Sequence, residues 1–181
     1  RKLLSHFDIH TPLISYHRHS EESRLEELLQ WLGEGKRIAL VSDAGLPGLS
    51  DPGEELIRAT IEKGIPVIPI PGANAALSAL IGSGLPMKPH VFLGFLPRDR
   101  KGRREELKRW QRVEATLLFY ESPHRVPDTL KDMLEILGDR RAVLARELTK
   151  VHEEWIRGTL SELASSLEGE EMKGEFTLVV E

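Results

Sequence analysis

Ile38-Ala39-Leu40-Val41, running into Ser42-Asp43-Ala44-Gly45-Leu46-Pro47-Gly48-Leu49-Ser50-Asp51-Pro52-Gly53, decides the fold class of this chain. Four consecutive apolar residues, too few for a helix, read as a short strand buried on both faces, as in a parallel sheet. The glycine- and proline-rich loop that follows ends in a helix start: Asp51 as cap, Pro52 at the first helical position, Glu54 as the reciprocal cap. That helix stops near Gly64, Ile65 to Ile70 reads as the next strand, and Pro71-Gly72-Ala73-Asn74 turns the chain into a small-residue helix, Ala75 to Ile81. Strand, loop and helix repeated in this order are a parallel α/β signature.

Upstream, an extended segment around Pro12-Leu13-Ile14-Ser15 precedes a Ser23/Glu26 capping box and a helix with Leu25, Leu28, Leu29 and Leu32 on one face. Downstream, Gly84-Leu85-Pro86-Met87-Lys88-Pro89 breaks the pattern and gives two α/β domains, residues 1–88 and 89–181. The second is expected to hold strands at Val91 to Phe95, Thr116 to Tyr120, Ala142 to Ala145, Glu154 to Gly158 and Phe176 to Val180. Its helices are expected at Arg103–Arg112, Pro123–Leu137 and Leu160–Leu167. Short connections predict antiparallel pairing for some of these strands, the last two above all.

The absence of cysteine excludes disulfide scaffolds, zinc fingers and thiol nucleophiles. No apolar run approaches the roughly 20 residues of a membrane-spanning helix, and no signal-peptide core follows Arg1-Lys2-Leu3-Leu4-Ser5-His6, so the expectation is a soluble protein. The net charge of −4 is unevenly spread: the segment Arg98 to Arg112 carries +5 and the rest −9. Such a segment is either a phosphate-facing patch or a solvated, salt-bridged helix face.

In an open α/β sheet ligands bind beyond the carboxyl ends of the strands, so loops in that position carry the functional reading. Ser42–Gly53 places Asp43 directly after a strand, and its glycines let backbone amides approach a ligand. Tyr120-Glu121-Ser122-Pro123-His124-Arg125 gathers an aromatic ring, a carboxylate, an imidazole and a guanidinium at another strand end. No Gly-x-Gly-x-x-Gly, Gly-Lys-Ser/Thr or His-Glu-x-x-His motif is present, which argues against nucleotide hydrolysis and metal chemistry.

Taken together, these two loops with Pro71-Gly72-Ala73-Asn74-Ala75-Ala76, Gly94-Phe95-Leu96-Pro97, Ala145-Arg146-Glu147-Leu148-Thr149-Lys150 and Gly174-Glu175-Phe176 resemble, in the same order, the motifs of RsmI-type ribosomal RNA 2′-O-ribose methyltransferases of the tetrapyrrole-methylase family. The resemblance implies the two-domain class III methyltransferase α/β fold, with the family's first strand and loop absent from this chain. It also implies S-adenosylmethionine held in a cleft between domains, a homodimer, a cytoplasmic location, and a cytidine ribose in the decoding region of 16S rRNA as acceptor. Carried over by position, Ser42, Asp43, Leu46, Asn74 and Ala75 match donor-binding loops. Glu121 and Leu148 match the closing wall and Thr177 the adenine side.

Methyl transfer from a sulfonium needs alignment and removal of the acceptor's proton, for which His124, Glu121 and Glu147 are unranked candidate bases. Arg100, Lys101, Arg103, Arg104, Arg125, Arg146 and Lys150 are candidate phosphate anchors for RNA. Two other readings stand beside this one: a methylase of the same fold acting on a tetrapyrrole or a protein, and a non-catalytic RNA-binding fragment.

Overall fold

A computed structural model describes residues 2–17, 21–169 and 172–181, with the side chains of 21–23 left out of the description. The chain divides into two compact units, Arg1–Gly72 and Ala73–Glu181.

The first unit contains helices α1 (Lys2–His6), α2 (Glu21–Gly33) and α3 (Glu54–Glu62). α2 packs against α3, with Leu28 and Leu56 buried. It begins ahead of Ser23, so the expected capping box does not mark its start, and the Ser23 side chain lies outside the described residues. α3 is entered through Gly53, at φ 136°, with no side-chain cap, so Asp51 does not take the capping position expected of it.

Residues 38–41 and 65–70 form no strand, contrary to the reading of the first as a strand buried on both faces and of the second as the strand that follows it. The physical reason is pairing: extended backbone becomes a strand only when a neighbour accepts and donates its hydrogen bonds, and neither segment has such a ladder among the described residues. Pro66 and Pro69 also withhold two donors from the second segment. Val41, Ile68 and Ile70 are accordingly 70–78% exposed.

The second unit opens with α4 (Ala75–Ser83) and continues through β1 (His90–Phe95), α5 (Arg100–Trp110), β2 (Thr116–Glu121), a 3-10 turn (Pro123–Arg125), α6 (Val126–Leu137), β3 (Arg141–Arg146), β4 (Glu154–Thr159), α7 (Leu160–Ser166) and β5 (Phe176–Val180). All five strands lie where the sequence pattern puts them, in the order β1-β2-β5-β3-β4. β1 and β2 are parallel, while β5 pairs antiparallel with β2 and β3, and β4 antiparallel with β3. α5 starts at Arg100, earlier than expected, because Asp99 caps it by accepting from Gly102 N–H at 2.8 Å. α7 starts on a Thr159/Glu162 capping box.

Strand alternation sorts the core onto two faces. Leu117, Phe119, Leu144 and Leu178 meet α5, α6 and α7 through Leu107, Leu130, Met133 and Leu163. Leu118, Val143, Ala145 and Val179 meet α4 through Ala76, Ala79 and Leu80. α4 therefore belongs by packing to the sheet that follows it, and the compact division falls ahead of it, whereas the domain boundary expected from sequence falls at 88/89. Close approach at α4 depends on Gly82, where an added Cβ would overlap the Trp155 ring.

Candidate active site

β1, β2 and β3 run in one direction, so Phe95, Glu121 and Arg146 end at one edge of the sheet. There the turn after β1, the Ser122–Arg125 turn, the Glu147–Lys150 loop and the start of β5 come together. The N-terminus of α4 is tied to the same edge, since Ala76 N–H donates to the Tyr120 hydroxyl at 3.3 Å. This is where an α/β sheet binds ligands.

The walls on the α4 face are apolar and aromatic. Phe92 and Tyr120 meet edge to face with centroids 4.9 Å apart, and Leu148 packs on the same cluster. Thr177, buried, pairs in register with Tyr120 on one side and Ala145 on the other. Ala75 is exposed at the start of α4, and Asn74 caps that helix, its Oδ1 accepting from Leu77 N–H at 2.9 Å. Asn74, Ala75, Leu148 and Thr177 thus share one unit and one end of the sheet.

Ser42, Asp43 and Leu46 lie in the first unit. The Ser42 hydroxyl donates to Ala44 O at 2.9 Å, folding the loop onto itself, and Asp43 is left exposed. Leu46 reaches the 65–72 segment, its Cδ2 lying 3.4 Å from where a Cβ on Gly72 would stand. Leu46 and Gly72 are therefore neighbours within the first unit.

The three candidate bases have unlike surroundings. Glu121 is buried, accepting from Ser122 N–H and the Thr129 hydroxyl, each at 2.8 Å, with Arg125 Nε 3.3 Å away as an ion pair. Glu147 accepts from Lys150 Nζ and from Glu175 N–H, both at 2.8 Å. These bonds, the Lys150 one first, hold its carboxyl below the usual carboxylate range. Both carboxylates are occupied. His124 is exposed on the turn after β2 and has no hydrogen bond or ion pair among the described residues.

Six of the seven candidate phosphate anchors are engaged within the fold. Arg100, Arg103 and Arg104 converge on Asp132 of α6 at 3.2, 2.6 and 2.8 Å, and Arg104 also meets Glu135. Burial pushes the Asp132 carboxyl up, but the three guanidinium bonds outweigh it and leave it below its ordinary value. Arg103 is itself buried, which withdraws it from any phosphate. Arg125 Nη2 donates to the carbonyls of Leu96 and Pro97 at 3.0 and 2.9 Å. Arg146 donates to Lys173 O and meets Glu154, and Lys150 bridges Glu147 and Glu175. Lys101 is exposed, with no such partner among the described residues.

Sequence reasoning missed Asp132, although it was detectable as a carboxylate among the buried positions Thr129, Leu130, Met133 and Ile136 of one helix. Phe95 entered only as part of the Gly94-Phe95-Leu96-Pro97 motif, with no role of its own, and the signal for its placement was a glycine, Gly94, inside a strand.

A family model for Tetrapyrrole (Corrin/Porphyrin) Methylases matches residues 2–164. The chain belongs to the tetrapyrrole methylase family. Its fold is that of the class III methyltransferases, a mixed α/β sheet flanked by helices. Within the tetrapyrrole methylase family, the chain is 56% identical over its whole length to Ribosomal RNA small subunit methyltransferase I of Halalkalibacterium halodurans and 50% identical to the protein of that name from Bacillus subtilis. It spans 63% and 62% of those two relatives. Among solved structures it is similar to the methyltransferase CobJ, with a TM-score of 0.66 and 21% identity over 88% of this chain and 70% of that one. Uroporphyrin-III C-methyl transferase from Thermus thermophilus, complexed with S-adenyl homocysteine, gives a TM-score of 0.58 and 20% identity over 88% and 73%. The expectation of a tetrapyrrole-methylase fold of the RsmI type is met.

Proposed function

We propose that this chain is the donor- and RNA-handling part of an S-adenosylmethionine-dependent methyltransferase that 2′-O-methylates the ribose of a cytidine in the decoding region of 16S rRNA, within the small ribosomal subunit. The observation that carries the reading is the 56% identity, over the full chain, to a protein named for methylation of small-subunit ribosomal RNA. The methylases of other substrates cited above share only its fold, at 20–21% identity. Work on ribosomal subunits, a cytoplasmic setting and a homodimer belong to the same proposal.

The residues fit such a donor. Small, exposed Ala75, aromatic Tyr120 and apolar Leu148 line one strand-end edge with a few polar groups, the composition expected of a small-molecule site. When bound, S-adenosylmethionine supplies a methyl group activated by its sulfonium. Asp43, exposed on its loop, would pair with the amino end of the donor, and Ser42 and Leu46 shape that loop. Ala75, Leu148 and Thr177 would hold the nucleoside, with Asn74 fixing the start of α4 behind them. Glu121 acts from behind the wall as a buried counter-charge to Arg125.

His124 is the base on this reading, because Glu121 and Glu147 already accept hydrogen bonds from within the fold. It would take the proton of the ribose 2′-hydroxyl as that oxygen gains the methyl group, with the sulfur of S-adenosylhomocysteine as leaving group. Lys101 contributes a phosphate contact.

The test is methyl transfer by the whole protein that carries this chain, onto small ribosomal subunits with a tritiated methyl donor, followed by digestion of the RNA. Label on a cytidine 2′-oxygen is expected, and His124→Gln should lower kcat by about 10²–10⁴ while donor affinity stays. Label on a base, or none, overturns the reading.

A further inference from the structure

Phe95 stands out as an aromatic ring that is 52% exposed at the end of an otherwise packed strand. In regular β1, Phe95 would share a face with Val91 and Leu93, both packed on the core under α5 to α7. Instead the register of β1 on β2 shifts between Phe92 and Gly94, where Gly94 takes φ 61°. The bulge turns Phe95 to the α4 face, across from its register partner Tyr120, with ring centroids 5.6 Å apart. Leu96 then fills the core position and is buried.

A second device holds this arrangement. Arg125 reaches over from the turn after β2 and fixes both carbonyls that follow Phe95, those of Leu96 and Pro97. Its charge is met by buried Glu121, which is braced in turn by Thr129. A buried ion pair offers little net stability, so its use here points to a need for geometry. Between them the bulge and the guanidinium place a large apolar ring outside the core, at the ligand-binding edge.

We propose that Phe95 is a stacking platform for a nucleobase and that Arg125 is its positioning residue. The ring offers an apolar face, while the buried Thr177 hydroxyl, on the same side beside Tyr120, offers hydrogen bonding to a base edge. A nucleobase combines those two needs, and stacking tolerates any base because each has a π-face. The proposal rests on the reading of this chain as part of a nucleic-acid methyltransferase. That reading supplies two sources of the same chemistry, the adenine of the donor and a base of the RNA.

The experiment, on the whole protein that carries this chain, measures affinity for S-adenosylhomocysteine by calorimetry and for a single-stranded oligocytidylate by fluorescence anisotropy. Phe95→Leu, which keeps apolar bulk and removes the ring, should weaken one of the two ligands by about 5- to 100-fold, and Phe95→Trp should restore it. The ligand affected identifies the source of the base. Arg125→Lys keeps the charge beside Glu121 but loses the fork on Leu96 and Pro97, so it should weaken the same ligand. Combined with Phe95→Leu it should add little further, a non-additivity that a merely structural role would not produce. Thermal melting, expected to be unchanged for both Phe95 variants, monitors folding. If the unsubstituted protein binds a ligand and Phe95→Leu leaves both affinities within two-fold, the platform is refuted and the functional reading survives. An unsubstituted whole protein that binds neither overturns both.

Discussion

Asp132 carries its charge on a side chain 1% exposed, and three arginines of another helix surround it. Replacing it by Asn leaves buried Arg103 without a counter-charge, and loss of one partner of a buried pair costs about 3–5 kcal/mol. Asp132→Asn should therefore lower the urea midpoint markedly, whereas a neighbouring exposed carboxylate such as Glu105, changed to Gln, should shift it little. The same residue sets an acid limit. Its folded carboxyl lies below its ordinary value, so its contribution is fully present above the unfolded carboxylate range and is lost as pH falls through the folded one. Denaturant melts of the parent and Asp132→Asn proteins should thus begin to draw together as pH falls below about 4, the ordinary range of an aspartate, and meet only once the folded carboxyl is protonated. At Asp43, exposed and away from any core, the expectation is the reverse: Asp43→Ala should leave the melt unchanged and weaken donor binding about ten- to a hundred-fold, the range for a lost charge-assisted hydrogen bond. Equal calorimetric affinities would remove Asp43 from the site.

At the scale of elements, the basic stretch around α5 divides into two parts. Arg100, Arg103 and Arg104 clasp α6, whereas Lys101 is exposed and makes no hydrogen bond or ion pair among the described residues. Arg103→Gln should thus cost stability, while Lys101→Gln should leave stability alone and make the log-log salt dependence of RNA binding shallower by about 0.7–0.9. An unchanged salt slope would make Lys101 a solvated lysine. α4 makes a second element-scale case: Gly82 admits the Trp155 ring, and Arg157 closes over it, donating to Gly82 O at 2.7 Å. Gly82→Ala should displace the ring and lower the thermal midpoint, since overpacking a fitted contact costs about 1–3 kcal/mol. A midpoint at or above the parent value would show that α4 has slack on the sheet.

For the whole molecule, stability is concentrated in the second unit, where both faces of the sheet are covered, while Leu28 and Leu56 are the buried large apolar residues described in the first. The segment 73–181 expressed alone should melt cooperatively near the midpoint of the full chain, and 1–72 alone should show no cooperative melt. A segment 73–181 without a transition would mean that its sheet depends on the first unit. What the sequence determined by itself was local. Alternating and continuous apolar runs placed all five strands of the second unit, and the ordered loop motifs led to the family, because periodicity and turn chemistry act over a few residues. The tertiary structure decided which charges are spent and which are available. Arg103, Arg125 and Glu147 read as exposed functional groups until Asp132, the Leu96 and Pro97 carbonyls and Lys150 were brought against them. It also decided that 38–41 and 65–70 stay unpaired and that Phe95 turns outward. Pairing, burial and counter-charge are long-range relations, and apolar pattern along a chain does not encode which partner arrives.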